Sequence, residues 1–322
     1  MRSEDFRENY ITKNLEYKSK KSGKFKIIFY AFLGLTGIAL GIKLNSQKFI
    51  VPVIDSFALT ASEIKADKNK NIPVSELKNK ILKELDQATG SYSVYFYDLT
   101  TGENFGINEQ SILVAASVNK IPILAAVYHL AGKGVMDLDR VIVPQSKDIQ
   151  DYGTGVIRYD KSGSSYSIKT LARLMMEKSD NTAAYLLASV IVGIDEVQKL
   201  VESWGMAQTD MISNKTSVKD IFIITEKMYQ GEITSPELTR EMIDFMDDSD
   251  FEDRIPKGVP STITVYHKTG DEVRTVHDAG IVVLPDRPYF LGVMTTDITS
   301  EEETKEQIAR ISKIVFSQVA DL

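Results

Sequence analysis

The chain has 322 residues, 43% of them hydrophobic, enough to bury a substantial core in one large domain or two small ones. Its net charge of −7 combines a basic start with an acidic remainder, since residues 1–26 hold eight Lys/Arg against four Asp/Glu, so no nucleic-acid footprint exists outside that short segment. With no cysteine, disulfides, thiolate metal sites, a catalytic thiol and cysteine-borne lipids are all excluded.

The first element is apolar. Between Lys26 and Lys43 the run Ile27 to Ile42 is uncharged, and with flanking lysines that can snorkel it predicts a transmembrane signal-anchor at 26–44 behind a basic tail at 1–25. A cleaved signal peptide and a buried core helix are the alternatives; "LTA" at 59–61 lies too far downstream for a cleavage site. The basic flank places the N-terminus in the cytoplasm and everything after Leu44 outside, so the expected location is a cell membrane crossed once.

Residues 45–72 read as an extracytoplasmic tether that ends in a Lys/Asn cluster, and a folded domain is expected over 73–322. "VSELKNKILKELDQA" sets Leu77, Ile81 and Leu85 on one helical face behind a Ser75 cap. "SYSVYFYDLTTGENFGI" alternates around a "TTGE" turn, which predicts a β-hairpin. From about 117 to 250 the pattern is helical, with "SIKTLARLMMEKSDNTAAYLLASVI" and "VKDIFIITEKMYQG" as its clearest stretches. "TITVYHKTG", "TVHDAGIVVLP" and "YFLGVMTTDI" then predict a three-stranded meander, and "SEEETKEQIARISKIVFSQVADL" a closing helix with Glu in its first turn. Strands at both ends around a helical middle imply an α+β (α/β) fold: an antiparallel sheet from the N- and C-terminal parts, flanked by helices, with a mostly helical inserted subdomain.

Three short elements carry chemistry: "SVNK" at 117–120, "SDN" at 179–181 and "KTG" at 268–270. Ser-x-x-Lys alone is weak, for it recurs at Ser62–Lys65 and Ser75–Lys78. Only Ser117 and Lys120 lead into a long apolar helix, one turn apart, where both side chains share a face and a charge buried without reason is costly. Taken singly, Ser179, Asp180 and Asn181 read as the cap of a helix starting at Thr182, and "KTG" as a strand end. His129, His267 and His277 form no serine–histidine–acid pattern and read as structural, with His267 on the sheet face opposite Lys268. Arg274 is left open between a bidentate donor to a substrate carboxylate and a surface residue.

As an ordered set, with 62 residues from Ser117 to Ser179 and 89 from there to Lys268, the three motifs resemble those of the penicillin-recognising serine hydrolases, the class A β-lactamases and the DD-peptidases. "SDN" followed by "TA", and "HDAGIV" after "KTG", resemble the class A group most, and the resemblance covers about residues 73–322. It implies a β-lactamase/transpeptidase-like fold, no cofactor and no metal, and a small-molecule β-lactam or a peptidoglycan stem peptide as substrate for a monomer. It also implies the roles. Ser117 attacks a carbonyl, Lys120 is base or proton relay, Ser179 passes a proton to the leaving nitrogen, and Asn181 orients the substrate amide and Lys120. Lys268 and Thr269 bind the substrate carboxylate, Gly270 lets the substrate lie close, and the N–H groups of Ser117 and Asp271 form the oxyanion hole. The physical reading agrees, since a lysine takes a serine proton only if burial and a neighbouring charge, here Lys268, lower its pKa.

One departure stands out. Class A β-lactamases carry a glutamate between "SDN" and "KTG" that activates the deacylating water, and residues 203–225 contain none. Asp210 and Asp220 do not match the pattern, and Glu202 and Glu226 fall in helical stretches. Acylation is therefore better supported than turnover. The leading expectation is a membrane-anchored, extracytoplasmic serine hydrolase of class A type; the alternatives are a peptidoglycan DD-peptidase and a non-enzymatic penicillin-sensing or cell-wall-binding module.

Overall fold

The structure, a computed structural model, describes residues 66–67, 70–247 and 249–320. In chain order it runs through helix α1 (Val74–Leu85), strands β1 (Ser91–Asp98), β2 (Asn104–Ile107) and β3 (Leu113–Val114), a 3₁₀ turn (Ala116–Asn119), and helix α2 (Lys120–Gly132). Short strands β4 (Val141–Ile142) and β5 (Tyr166–Ser167) precede α3 (Ile168–Glu177), α4 (Asn181–Tyr185), a π-helical stretch (Leu186–Val192) and α5 (Ile194–Ser203). Strand β6 (Lys215–Thr216), α6 (Val218–Tyr229) and α7 (Pro236–Asp244) lead to β7 (Val265–Glu272), β8 (Thr275–Val282), β9 (Tyr289–Thr296) and α8 (Glu301–Ala320).

The predicted hairpin and meander join in one antiparallel sheet of order β2-β1-β9-β8-β7, so the first and last thirds of the domain share a sheet. Strand period sorts its side chains: Tyr92, Val94 and Phe96 of β1 pack with Leu77 and Ile81 of α1 and Ile308, Ile311 and Val315 of α8. Tyr95 faces the other way, into the larger core built on α2. Helix α2 is buried from Lys120 to Tyr128 without a solvent face, which explains its unbroken apolar run.

Two expectations change. Helix α1 begins at Val74 with Pro73 as its cap and no capping side chain, so Ser75 lies inside the helix and does not close it. The single-pass membrane location is withdrawn: among the described residues no helix is long and apolar enough to cross a membrane. Helix α2 is apolar but has only 13 residues, and the 20-residue α8 carries a charged face. The run at 26–44 on which that location rested lies outside the described residues, as do the tail and nearly all of the tether.

Candidate active site

The chain leaves β3 and turns sharply because Ala116 takes a φ of 49°, a left-handed conformation that costs a non-glycine residue about 1 kcal/mol or more. Its surroundings hold it there. Ala115 N–H donates to Asn214 O (2.9 Å) and Val118 N–H to Ala115 O (3.2 Å). His277 Nδ1 accepts from Thr295 N–H (3.0 Å), so its proton sits on Nε2 and goes to Val114 O (2.8 Å). Ser117, partly exposed, occupies the 3₁₀ turn that follows, and Lys120 N–H bonds back to Ser117 O.

Lys120 is 5% exposed, and its Nζ donates to Ser179 O (2.7 Å), Ser179 Oγ (3.1 Å) and Asn181 Oδ1 (2.8 Å). Burial, then the positive charge of Lys268, holds the Lys120 ammonium well below its ordinary pKa, with Asp180 opposing. A deprotonated Lys120 has a lone pair to accept a hydroxyl proton. The expected cap at "SDN" exists, one residue earlier than read: Asp180 caps α4, which starts at Asn181. Its Oδ1 accepts from Ala183 N–H (2.9 Å), and its Oδ2 from Val156 N–H (2.6 Å) and Ile157 N–H (2.9 Å). Asp180 thus fastens residues 152–157 to the site, and Thr154 Oγ1 reaches Ser179 O (2.6 Å) while Asn181 Nδ2 reaches Tyr152 O (3.2 Å). Ser179 itself has a φ of 47°, which breaks the helical pattern between α3 and α4 and turns its hydroxyl toward Lys120.

The third motif lies on β7, the edge strand, where alternate N–H and C=O groups face away from β8. A Cβ on Gly270 would sit 3.1 Å from Ser117 N and 3.2 Å from Ala115 O, so only glycine lets this strand approach the serine turn freely. Lys268 and Thr269 are buried. Burial pulls Lys268 down to about 7, Arg254 adds to the fall, and Asp278 and Asp271 oppose it. Ser117, Lys120, Ser179, Asn181, Lys268 and Gly270 are therefore assembled from three distant segments.

Sequence reasoning missed what stands behind β7. Asp271, read only for its N–H, puts its carboxylate in a two-pronged bond with the fully buried Arg254, whose Nη2 lies 2.7 Å from each oxygen. Arg254 Nη1 also donates to His277 O (2.7 Å). Between Asp278 Oδ1 (2.8 Å) and Glu252 Oε1 (3.2 Å), His267 is buried as an ion-pair partner. Burial lowers its pKa, but those two carboxylates more than reverse the effect and raise it. The signal was the charge-dense "FEDRIP" at 251–256, which no exposed loop needs. Arg274 goes elsewhere, to Asp297 Oδ1 (3.4 Å) and to backbone carbonyls.

The carboxylates nearest in sequence to the missing glutamate have local partners of their own. Asp210 closes its own turn through Ile212 N–H and Ser213 N–H (both 2.9 Å). Asp220 accepts from Gln208 N–H (2.7 Å) and Thr209 Oγ1 (2.8 Å), Glu202 from Gln198 Nε2 (3.0 Å), and Glu226 from Gln230 Nε2 (3.4 Å).

A buried lysine with a lowered pKa, set between two serine-bearing turns and an edge strand, defines a serine hydrolase of β-lactamase type. The chain belongs to the Beta-lactamase enzyme family, whose model matches residues 76–319. It is similar to the extended-spectrum beta-lactamase PER-1 of Pseudomonas aeruginosa, 26% identical over 228 residues that cover 62% of this chain and 73% of that protein. Beta-lactamase VEB-1 of Pseudomonas aeruginosa is 23% identical over 276 residues, covering 77% and 91%. Among solved structures, PBP-A superposes with a TM-score of 0.73 at 27% identity, over 78% of this chain and 100% of that one. A substituted form of PBP-A, solved as an acyl-enzyme complex with penicillin G, has a TM-score of 0.72 at 27% identity, over 77% and 98%.

Proposed function

We propose that this chain is a monomeric class A-type hydrolase of β-lactams that works through an acyl-enzyme on Ser117 and releases it slowly. Ser117 Oγ bonds to the lactam carbonyl carbon and the C–N bond breaks; the serine proton passes to Lys120 and then through Ser179 to the leaving nitrogen. Asn181 holds Lys120 in place and meets the substrate amide. Lys268 and Thr269 take the substrate carboxylate, and the N–H groups of Ser117 and Asp271 stabilise the oxyanion beside Gly270. The observation that carries the reading is Lys120: fully enclosed, bonded to Ser179 Oγ and Asn181 Oδ1, and depressed in pKa by burial and Lys268.

Slow release rests on the lack of a glutamate in residues 203–225. General-base assistance is worth about 10²–10⁴ in rate, so hydrolysis lags acylation by that order when no carboxylate activates water. With a chromogenic cephalosporin the expected signature is a burst equal to the enzyme concentration followed by a slow steady state. Rapid turnover without a burst or a detectable adduct would refute slow release and send the search for a base back to Asp210, Glu202 or Glu226.

A further inference from the structure

Asn119 lies inside the first motif, between Val118 and Lys120, and is 4% exposed. It stands at the N-cap of α2, where an asparagine side chain ordinarily accepts a bond from the helix, yet it makes no such bond. Its Oδ1 is enclosed without a partner, so an apolar side chain of similar shape would fill this space at little or no cost in stability. Neighbours one and two apart on a helical turn do not share a face, so Asn119 cannot join Ser117 and Lys120 over the substrate. Its Nδ2 instead donates to Oδ1 of Asn214 (3.0 Å), 95 residues further on.

Asn214 sits in a turn closed by two bonds, Asp210 N–H to Lys215 O and Lys215 N–H to Asp210 O (both 2.9 Å). Its φ of 51° is a left-handed conformation that asparagine adopts more readily than most residues. From there its backbone O accepts from Ala115 N–H (2.9 Å) while its side chain accepts from Asn119, so a single residue grips the chain on both sides of Ser117. Between the two bonds lies the left-handed Ala116, whose conformation sets the direction in which the serine leaves the turn. We propose that Asn119 and Asn214 are positioning residues: their amide bond fixes the pitch of the serine turn and so aims the hydroxyl and the N–H of Ser117 at the reacting carbonyl. The segment that lacks a glutamate thereby serves acylation as the buttress of the nucleophile. The inference rests on the proposed acylation of Ser117 and adds what sets its rate.

The test follows acylation of the full chain by benzylpenicillin at several concentrations, which separates the limiting rate constant from the half-saturating concentration. Asn214→Gly keeps the left-handed φ and the backbone carbonyl but removes the amide; Asn119→Leu removes the other half of the bond. Misplacing a reacting group by about 1 Å costs about 10²-fold, so each variant is expected to lose about 10- to 100-fold in the limiting rate with the half-saturating concentration unchanged. Melting points should stay within about 4 °C of the wild type, because neither change strands a new enclosed polar group. Asn214→Asp keeps an acceptor for Asn119 and a tolerance for positive φ, and it should acylate within about threefold of the wild type. If the two side chains act through one bond, the double variant Asn119→Leu, Asn214→Gly loses no more than the worse single variant. Unchanged limiting rates in both folded single variants overturn the inference and leave the proposed function standing. So do losses that multiply in the double variant, or a loss in Asn214→Asp equal to that in Asn214→Gly. If benzylpenicillin does not acylate the wild type, the proposed function falls and takes the inference with it.

Discussion

His277 ties the serine turn to the sheet, and its titration should be readable as stability. The imidazole lies opposite Gly270 in the β7–β8 register, donating to Val114 O and accepting from Thr295 N–H. Burial depresses its pKa from 6.5 to about 4, and bonds to the backbone of Val114 and Val276 oppose the fall only in part. Between pH 4 and 6.5 the unfolded chain therefore binds a proton that the folded chain refuses, so stability falls as pH falls through that window. A shift of this size is worth about 3 kcal/mol, and the group is fully enclosed, so solvent screening does little to reduce it. His267 does not confound the window: its raised folded pKa contributes stability that is complete below 6.5 and is lost only at higher pH. Buried carboxylates such as Asp220, whose pKa burial raises, act in the opposite direction, and a variant cancels them. Urea unfolding at about pH 7 and pH 4.5 is the assay, on wild type and His277→Gln, which cannot titrate. The wild type should lose about 2–3 kcal/mol more than the variant between those pH values. Equal losses in the two proteins would refute the assignment of a neutral, doubly bonded His277.

Lys268, held down at about 7, should lose its hold on a substrate carboxylate as it deprotonates. The acylation ratio of benzylpenicillin to its methyl ester should be flat at about pH 6 and below and fall above about pH 7; a flat ratio to pH 9 would contradict it. Asp180→Ala strips the acceptor from three N–H groups, two of them buried and one of these the helix cap at Ala183, so we expect a loss of about 3 kcal/mol and a melting point about 5–10 °C lower, measured calorimetrically, together with faster proteolysis within residues 152–157. A change within about 1 °C would show that those N–H groups find other partners.

Much of this architecture was readable because the period of the pattern is local information. The apolar run of α2, the alternation of β1 and the meander "TITVYHKTG" to "TTDI" reach their expected elements. The breaks in regularity were less readable. Nothing in "SDN" announces that Ser179 adopts a φ of 47°, because tertiary bonds from Thr154 and Lys120 to its carbonyl impose it. Ser117, Lys120 and the edge strand could be singled out because side chains one helical turn apart, or flanking a glycine, carry their geometry with them. Arg254 could not: its partners Asp271 and His277 lie 17 and 23 residues away on other elements, and a buried guanidinium looks in sequence like any surface arginine.

The most direct test of the account is intact-mass spectrometry of the purified protein followed over time after addition of benzylpenicillin, on wild type, Ser117→Ala and Ser179→Ala. The account predicts that the wild type gains the mass of one penicillin within the burst phase and keeps it through the slow phase, with the label on the peptide holding Ser117. Ser117→Ala gains nothing, and Ser179→Ala gains the same mass about 10²-fold more slowly. Equal labelling of wild type and Ser117→Ala, or label recovered on Ser179, would contradict it.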